Sequence, residues 1–220
     1  MGNCGGIIHL LLKKGRNRIL SISTFFFFST AIFCACRQQT APVFFQLPEE
    51  QTLHSGDLAF RKGRSMESHT VTFADSGSVY SHVGMVLWTA NGWQVLHAVP
   101  NERSSKHEKD SVKLDPIEIF FCSDRASNGA IYRLPITNED TLQLLNKGLN
   151  LYQRHLLFDV DFDDQDSTAF YCTELVWFIY KSELGLDLSQ GKRHRVPVFP
   201  DLIFCSDLLS YPGVEKIYEF

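Results

Sequence analysis

The fold is decided by residues 79–99, which read VYSHVGMVLWTANGWQVLHAV. The first half of this stretch is apolar and β-branched, a composition typical of a β-strand. Asn91-Gly92 is a strong signal for a tight turn between antiparallel strands, and the apolar residues after it return as the partner strand. The stretch therefore predicts a β-hairpin with one histidine on each strand, His82 and His97.

The two hairpin histidines are candidates for a catalytic pair. Neighbouring strands lie about 5 Å apart, so two side chains on the same face of the hairpin can come into contact. A lone histidine in an apolar strand is more often a structural residue. A base whose ring is oriented by a third polar group is, however, what cysteine–histidine catalysis requires. The hairpin thus predicts a base, provided that the chain also supplies a nucleophile.

The candidate nucleophile lies in residues 170–185, which read FYCTELVWFIYKSELG. Apolar residues recur at helical spacing, and Gly185 is a typical residue after a helix C-terminus. Cys172 falls at the predicted helix start, where free N–H groups and the helix dipole would lower a thiol pKa and stabilise an oxyanion. Taken alone, a cysteine is more often a small buried core residue.

The rest of the chain predicts strands and helices without a regular βαβ alternation, which indicates the α+β class. Residues 61–78 have little pattern and predict a loop or a short, poorly patterned helix. The tail is predicted to hold a weak helix and a last strand. The other predicted elements are a strand after Gly56-Asp57, a short strand at Val112–Pro116 before a helical stretch at Pro116–Cys122, a strand at Ala130–Leu134, a helix at Glu139–His155 and the final strand at Val214–Phe220.

The N-terminal segment resembles a targeting signal. Basic residues precede an apolar run, Ile19–Phe33, which at roughly 15 residues is shorter than the ~20 that usually span a bilayer. Ala35-Cys36 follows, and a cysteine after a small residue resembles a bacterial lipobox with Cys36 as the lipidated residue. An ordinary signal peptide and an uncleaved anchor helix are the alternatives. We expect a leader at 1–36, a tether at 37–51 and a domain at 52–220, exported and lipid-anchored to the bacterial cell envelope, in the periplasm or at the outer membrane.

Composition and cysteine spacing exclude several classes of protein. A formal charge of −4 without a dominant basic patch does not indicate nucleic-acid binding. The chain has no CxxC pair and no zinc-finger spacing, so we expect no metal and no cofactor. The acidic run at 159–166 lacks an EF-hand pattern and predicts a solvated loop. Outside the leader, Cys122, Cys172 and Cys205 are an odd set, and whether Cys122 pairs with Cys205 stays open.

Four segments in this order resemble the permuted branch of the NlpC/P60 papain-like superfamily, in particular the YiiX/YebB-like cysteine hydrolases. The segments are Gly56-Asp57-Leu58, Ser81-His82-Val83-Gly84-Met85-Val86, Val95-Leu96-His97-Ala98 and Phe170-Tyr171-Cys172-Thr173-Glu174-Leu175-Val176. The histidine precedes the cysteine, which is the permuted order, and the resemblance covers about residues 52–185. It implies a circularly permuted papain-like α+β fold, with an antiparallel sheet or half-barrel packed against helices and the nucleophile at a helix N-terminus. Asp57 and Glu174 recur in these motifs as structural residues, one in a turn and one in the first helical turn.

The resemblance also implies roles for individual residues. Cys172 corresponds to the nucleophile and His82 to the general base. His97 holds the position of the third, orienting residue, which is Glu in many relatives and His in the retinol acyltransferase-like ones. Tyr171, directly before the nucleophile, is implied to line the oxyanion site together with Cys172.

The function implied by the resemblance is hydrolysis of an amide bond through a thioester. The expected substrates are a peptide, a peptidoglycan stem or an N-acyl amino acid or other acylated small molecule, with the membrane as a partner through the lipid on Cys36. One alternative is a lipid acyltransferase or phospholipase of the retinol acyltransferase-like type. A second alternative is a non-catalytic binding module on the same fold.

Overall fold

The computed structural model describes residues 43, 47, 52–102, 107, 109–164, 166–196 and 201–220. The predicted leader at 1–36, and the predicted tether apart from residues 43 and 47, lie outside the described residues. All described residues belong to one unit that spans residues 40–220.

The described residues form ten strands and five helices. The strands are β1 (Leu58–Gly63), β2 (His82–Thr89), β3 (Gly92–Val99), β4 (Ser111–Pro116), β5 (Ala126–Arg133), β6 (Leu157–Phe158), β7 (Ala169–Phe170), β8 (His194–Arg195), β9 (Asp201–Leu202) and β10 (Glu215–Glu219). The helices are α1 (Met66–Ala74), α2 (Ile117–Phe120), α3 (Asn138–Gln153), α4 (Cys172–Leu184) and α5 (Cys205–Leu209).

Eight of these strands form one sheet in the order β10-β5-β1-β2-β3-β4-β6-β7. All neighbouring pairs are antiparallel apart from β6 and β7, which run parallel at one edge. Strands β8 and β9 pair with each other in a separate ribbon. The predicted α+β class and the predicted antiparallel sheet packed against helices are therefore confirmed, with one parallel pair added.

The central strands are buried on both faces, so each of them contributes to two cores. On one face, Val83 and Met85 of β2 belong to the same core as Leu175 of α4. On the other face, Val86 belongs to a second core that is covered by Phe120 of α2. Because side chains alternate along a strand, β2 needs apolar residues at nearly every position, which explains its almost continuous apolar sequence.

A buried turn at Gly56-Asp57 fixes α4 to the start of β1. Asp57 is 2% exposed, and Arg133 donates to its two carboxylate oxygens at 2.7 and 2.6 Å. The backbone N–H of His54 donates to the same carboxylate at 2.7 Å. The hydroxyl of Tyr180, on α4, donates to the carbonyl of Gly56, whose φ of +95° favours glycine. The structural role predicted for Asp57 agrees with these contacts.

The β2–β3 hairpin depends on the absence of a side chain at Gly84. The register pairs Met85 with Leu96, which places His97 opposite Gly84. A Cβ atom on Gly84 would lie 2.4 Å from Cγ1 of Val95 and 2.9 Å from Cβ of His97, closer than such atoms pack. The ring of His97 therefore lies over the glycine and can reach the next residue on the same face of β2.

The sequence predicts a loop or a short helix at residues 61–78, and the structure has helix α1 at Met66–Ala74, with the side chain of Ser65 accepting from the N–H of Ser68 at its N-terminus. Strand β5 starts four residues earlier than predicted, because pairing with β1 extends it through polar, partly exposed residues. The short strands β6, β7, β8 and β9 were not predicted. One of them, β7 at Ala169–Phe170, lies just before the predicted helix start at Cys172.

Candidate active site

Cys172 is the first residue of α4, directly after the N-cap Tyr171. The backbone N–H of Tyr171 donates to Oε2 of Glu174 at 3.1 Å, which closes the first turn of the helix. Backbone N–H groups of Val83, Thr173 and Cys172 itself lie near enough to the thiol to lower its pKa. The sulfur therefore lies where negative charge, on itself or on a carbonyl oxygen bonded to it, meets several N–H donors and the helix dipole.

Burial is nevertheless the largest influence on the Cys172 thiol. It raises the thiol pKa, and the three N–H donors and the positive charge of Arg61 oppose it only in part. The lowering expected from the helix N-terminus is present, but burial outweighs it. At neutral pH Cys172 is therefore a neutral thiol, which would need a base to remove its proton before it could act as a nucleophile.

Three side chains on adjacent strands form a chain of hydrogen bonds beside the nucleophile. Nε2 of His82 lies 2.9 Å from Nδ1 of His97, and Nε2 of His97 lies 3.3 Å from Oδ2 of Asp115. Both histidines are buried, His97 completely. The contact between His82 and His97 that the hairpin predicted is therefore present, and it continues one strand further to a carboxylate.

Sequence reasoning missed Asp115 and the charges around it. Nη1 of Arg125 lies 2.5 Å from Oδ2 of Asp115 and 3.1 Å from Oε2 of Glu102. Glu102 also pairs with Arg61, which is 2% exposed and donates to the carbonyl of Phe120 at 2.7 Å. Arg61 could have been found from the sequence, because it is a cation within the largely apolar strand LAFRKG. No local signal existed for Asp115, because its position depends on the register between β3 and β4.

Burial and these charges together determine the protonation states of His82, His97 and Asp115. Burial lowers the pKa of both histidines, and the positive charge of Arg61 lowers that of His82 further. Asp115 opposes the effect at His97 without reversing it. Burial alone would raise the pKa of Asp115, but His97 and Arg125 outweigh it and hold that pKa below its usual range. At neutral pH the two imidazoles are neutral and Asp115 is charged, so His82 can accept a proton.

Cys172 and His82 line the same cavity, which has a volume of about 580 Å³. Helix α1 also lines this cavity, and the contacts at the two ends of the helix show how far the cavity extends. Near the start of α1, Arg64 donates to the carbonyl of Ser123 at 3.1 Å. After its end, Asp75 accepts from the N–H of Ser206, directly after the first residue of α5, at 3.0 Å. The cavity therefore extends from the loop before β5 to the segment before α5.

The two ends of the cavity differ in polarity. Arg64, Ser65, Asp124 and Arg125 line the end near the start of α1. The other end is mainly apolar, and its lining residues are Val71, Phe158, Phe162, Leu202, Ile203 and Phe204. The nucleophile helix is joined to the apolar end, because Thr173 Oγ1 donates to the carbonyl of Ile203 at 2.7 Å.

Tyr171 lines the cavity beside the nucleophile. Its hydroxyl oxygen accepts the backbone N–H of Ile203 at 3.2 Å, and its ring centroid lies 5.4 Å from that of Phe162. Burial raises the pKa of its hydroxyl, so the group is a neutral O–H. Its role in the oxyanion site stays a prediction.

The remaining cysteines and the acidic run do not add to the site. Cys122, Cys172 and Cys205 are free thiols. Asp159, in the acidic run, accepts backbone N–H groups of residues 161 and 163 at 2.9 and 2.6 Å, so its carboxylate holds the loop. In the part of the chain that the structure describes, no three His, Cys, Asp or Glu side chains are grouped as a metal site requires.

Fold and site together define a class: a papain-like cysteine hydrolase in which the histidine precedes the cysteine. Residues 52–202 match the family of permuted papain-like amidase enzymes, YaeF/YiiX, known as the C92 family. The chain belongs to this family and is a cysteine peptidase or amidase-type hydrolase. No curated protein matches the chain.

The fold is also similar to a solved structure, that of the metalloprotein YiiX from Escherichia coli O157:H7. The TM-score is 0.61 at 19% sequence identity, and the match covers 77% of this chain and 98% of YiiX. The metal of YiiX is a property of that protein.

The buried carboxyl of Glu174 makes the stability of the site depend on pH. Burial raises its pKa to about 9, and the nearby aspartates add to this. The stability that a neutral Glu174 provides is fully present below its unfolded pKa of 4.5 and is lost as pH rises through about 9. Glu174→Gln keeps an acceptor for Tyr171 but cannot ionise. We expect it to match the wild type near pH 4.5 and to be more stable near pH 8.5, by more than about 1 kcal/mol.

Urea unfolding of both proteins at the two pH values measures this difference. Glu118 is an exposed carboxylate on α2, and Glu118→Gln is the matched control. Its free energy of unfolding should differ from that of the wild type by the same amount at both pH values. An equal difference between wild type and Glu174→Gln at both pH values would contradict the assignment.

Proposed function

We propose that the protein cleaves an amide bond through a thioester on Cys172, with His82 as general base and His97 as the residue that orients it. One observation carries the proposal. The thiol at the N-terminus of α4 and the ring of His82 line one cavity, and His82 is bound to His97 through Nε2 at 2.9 Å. This leaves Nδ1 of His82 as the nitrogen that receives the thiol proton.

The reaction follows the order that these groups allow. His82 takes the proton of Cys172, and the sulfur attacks the substrate carbonyl to form a C–S bond. The oxyanion accepts a hydrogen bond from the backbone N–H of Cys172 at the helix N-terminus. The imidazolium returns its proton to the leaving amine as the C–N bond breaks. His82 then removes a proton from water, which cleaves the thioester and releases the acid.

The polarity of the cavity favours one of the three expected substrate classes. An N-acyl amino acid has an apolar acyl chain on one side of the amide and a charged group on the other. The apolar end, formed by residues such as Phe158 and Ile203, suits the chain. Arg64, at the opposite end, suits a carboxylate. Peptides and peptidoglycan stems have less use for the apolar end.

A lipid acyltransferase or phospholipase is the second candidate. His97 at the orienting position and the apolar end of the cavity favour it, since both suit long acyl chains. Both activities share the thioester with the amidase. The acyltransferase differs in the acceptor, which is an amine or alcohol in place of water, and the phospholipase differs in the bond cleaved, which is an ester in place of an amide. A binding module without activity would not need the chain from His82 to Asp115.

We also propose that the protein is exported and anchored through a lipid on Cys36. The support is the sequence of the leader, which lies outside the described residues. None of the described helices is long and apolar enough to cross a bilayer.

The thioester can be trapped directly. We expect full-length protein mixed with p-nitrophenyl dodecanoate to gain the mass of one dodecanoyl group on Cys172. Cys172→Ala should gain none, and His82→Ala should acylate about 10²- to 10⁴-fold more slowly, because the neutral thiol has lost its base. Intact mass spectrometry with peptide mapping measures both. Cys122→Ala removes a buried thiol outside the cavity and should acylate at the wild-type rate. Acylation of another residue would exclude the proposed nucleophile.

The apolar end predicts a preference for long acyl chains. We expect kcat/KM for N-acylglycines to rise from acetyl to dodecanoyl, by up to about fourfold per CH₂ group while the chain is being buried. Val71→Asp places a charge in the apolar end and should reduce this preference. The matched control is Phe73→Asp on the same helix, because Phe73 is 90% exposed and does not line the cavity. Equal loss in both variants, or no preference in the wild type, would contradict this assignment.

Lipidation can be tested in bacterial cells fed with labelled palmitate. We expect the wild-type protein to carry the label in the membrane fraction and Cys36→Ser to carry none, because the thiol of Cys36 is the proposed attachment point. Cys34→Ser is the matched control and should remain labelled. Label that persists in Cys36→Ser would assign the lipid elsewhere.

A further inference from the structure

We propose that Asp115 is a positioning residue that sets the tautomers of His97 and His82, and thereby directs a free ring nitrogen toward Cys172. The inference rests on the proposed function, in which His82 is the base. Its evidence is the unbroken chain of polar atoms on β2, β3 and β4, at 2.9 Å and 3.3 Å.

The tautomers follow from the carboxylate alone. An ionised Asp115 only accepts hydrogen bonds, so Nε2 of His97 must carry the proton and donate. A neutral His97 then has a lone pair on Nδ1. That lone pair accepts the proton on Nε2 of His82, and Nδ1 of a neutral His82 is consequently unprotonated. Without the carboxylate, the opposite tautomers are equally consistent with the His82–His97 contact, and they would present an N–H to the thiol.

Asp115 also supplies the negative charge that the reaction needs. When His82 accepts the thiol proton it becomes a buried imidazolium, which Arg61 disfavours. Asp115 favours the protonated form of His97, and the hydrogen bond between His97 and His82 places this carboxylate one ring away from the cation. Many relatives have Glu at the position of His97; in this chain the carboxylate lies one strand further, and His97 transmits its effect.

The surroundings of Asp115 keep it charged and fixed. Arg125 binds its Oδ2, and Glu102 joins Arg125 to Arg61. Lys113, on the same strand, donates to the backbone carbonyl of Glu102. The carboxylate of Asp115 therefore faces two partners, one cation and one imidazole, which together define its orientation.

Nitrogen-15 NMR of histidine-labelled, full-length protein reads the tautomers without a substrate. Signals of the two rings are assigned through His82→Gln and His97→Gln. At neutral pH we expect both wild-type rings to be protonated on Nε2 and unprotonated on Nδ1. Protonation of His97 on Nδ1 in the wild type would overturn the proposal, whatever the enzyme's activity.

Asp115→Asn provides the second test. An amide can present either oxygen or NH₂ to His97, so the bond no longer selects one tautomer, and we expect mixed tautomers. With p-nitrophenyl dodecanoate, kcat should fall by about 10²-fold or more while KM changes little. The acidic limb of the pH profile should move to lower pH, because the histidine pair loses a negative neighbour. Asp115→Glu restores the charge and should recover part of kcat.

Glu118→Gln is the control for the loss of one carboxylate and should leave tautomers and kcat unchanged. The proposal is overturned if a folded Asp115→Asn protein keeps the wild-type tautomers and the acidic limb of its pH profile does not move. If the wild-type protein does not turn over the ester, the proposed function fails, and the wild-type NMR signals still decide whether Asp115 sets the tautomers.

Discussion

The close approach of β3 to β2 at Gly84 is the constraint on which the site depends. Because no side chain occupies that position, His97 packs over the glycine and its ring reaches His82 on the neighbouring strand. Any side chain at 84 would push the strands apart or turn the ring away. The chain to Asp115 then follows from the pairing of β3 with β4. The glycine in the segment SHVGMV is thus explained by the geometry of the site, since Gly84 lies within β2 and not in a turn.

Cys172, the proposed nucleophile, and His82, the proposed base, enter the site from opposite faces of the sheet. Helix α4 packs against the core that contains Met85, whereas the imidazole chain lies on the face that α2 covers. Their elements come together where β2 starts, since the backbone N–H of Val83 lies close to the thiol of Cys172. Both groups stand on regular elements that are fixed by buried contacts, so their relative position does not depend on a loop.

The sequence predicted the elements that carry their own pattern: the β2–β3 hairpin, the helix after Cys172 and the meeting of His82 with His97. It could not predict what depends on long-range pairing. Asp115 is an ordinary polar residue at the end of a strand until the β3–β4 register places it beside His97. The direction of the shift in the Cys172 thiol pKa was not predicted for a related reason. The local sequence shows the helix N-terminus, but it does not show the burial that outweighs it.

Of the four charged side chains in the network around Asp115, only that of Arg61 is buried, at 2% exposed, whereas those of Glu102, Arg125 and Asp115 are 20%, 25% and 21% exposed. Removing the Arg61 cation from water costs several kcal/mol, and an apolar residue of similar size is often at least as stable. The arrangement of the four charges has a clearer use in the reaction. A neutral thiol beside a neutral imidazole is weakly reactive toward chance electrophiles, and attack requires a proton transfer that creates a cation at His82. In the proposed reaction this transfer accompanies attack on the substrate carbonyl, and the carboxylate of Asp115, bound to His97, is the negative charge placed to offset the cation.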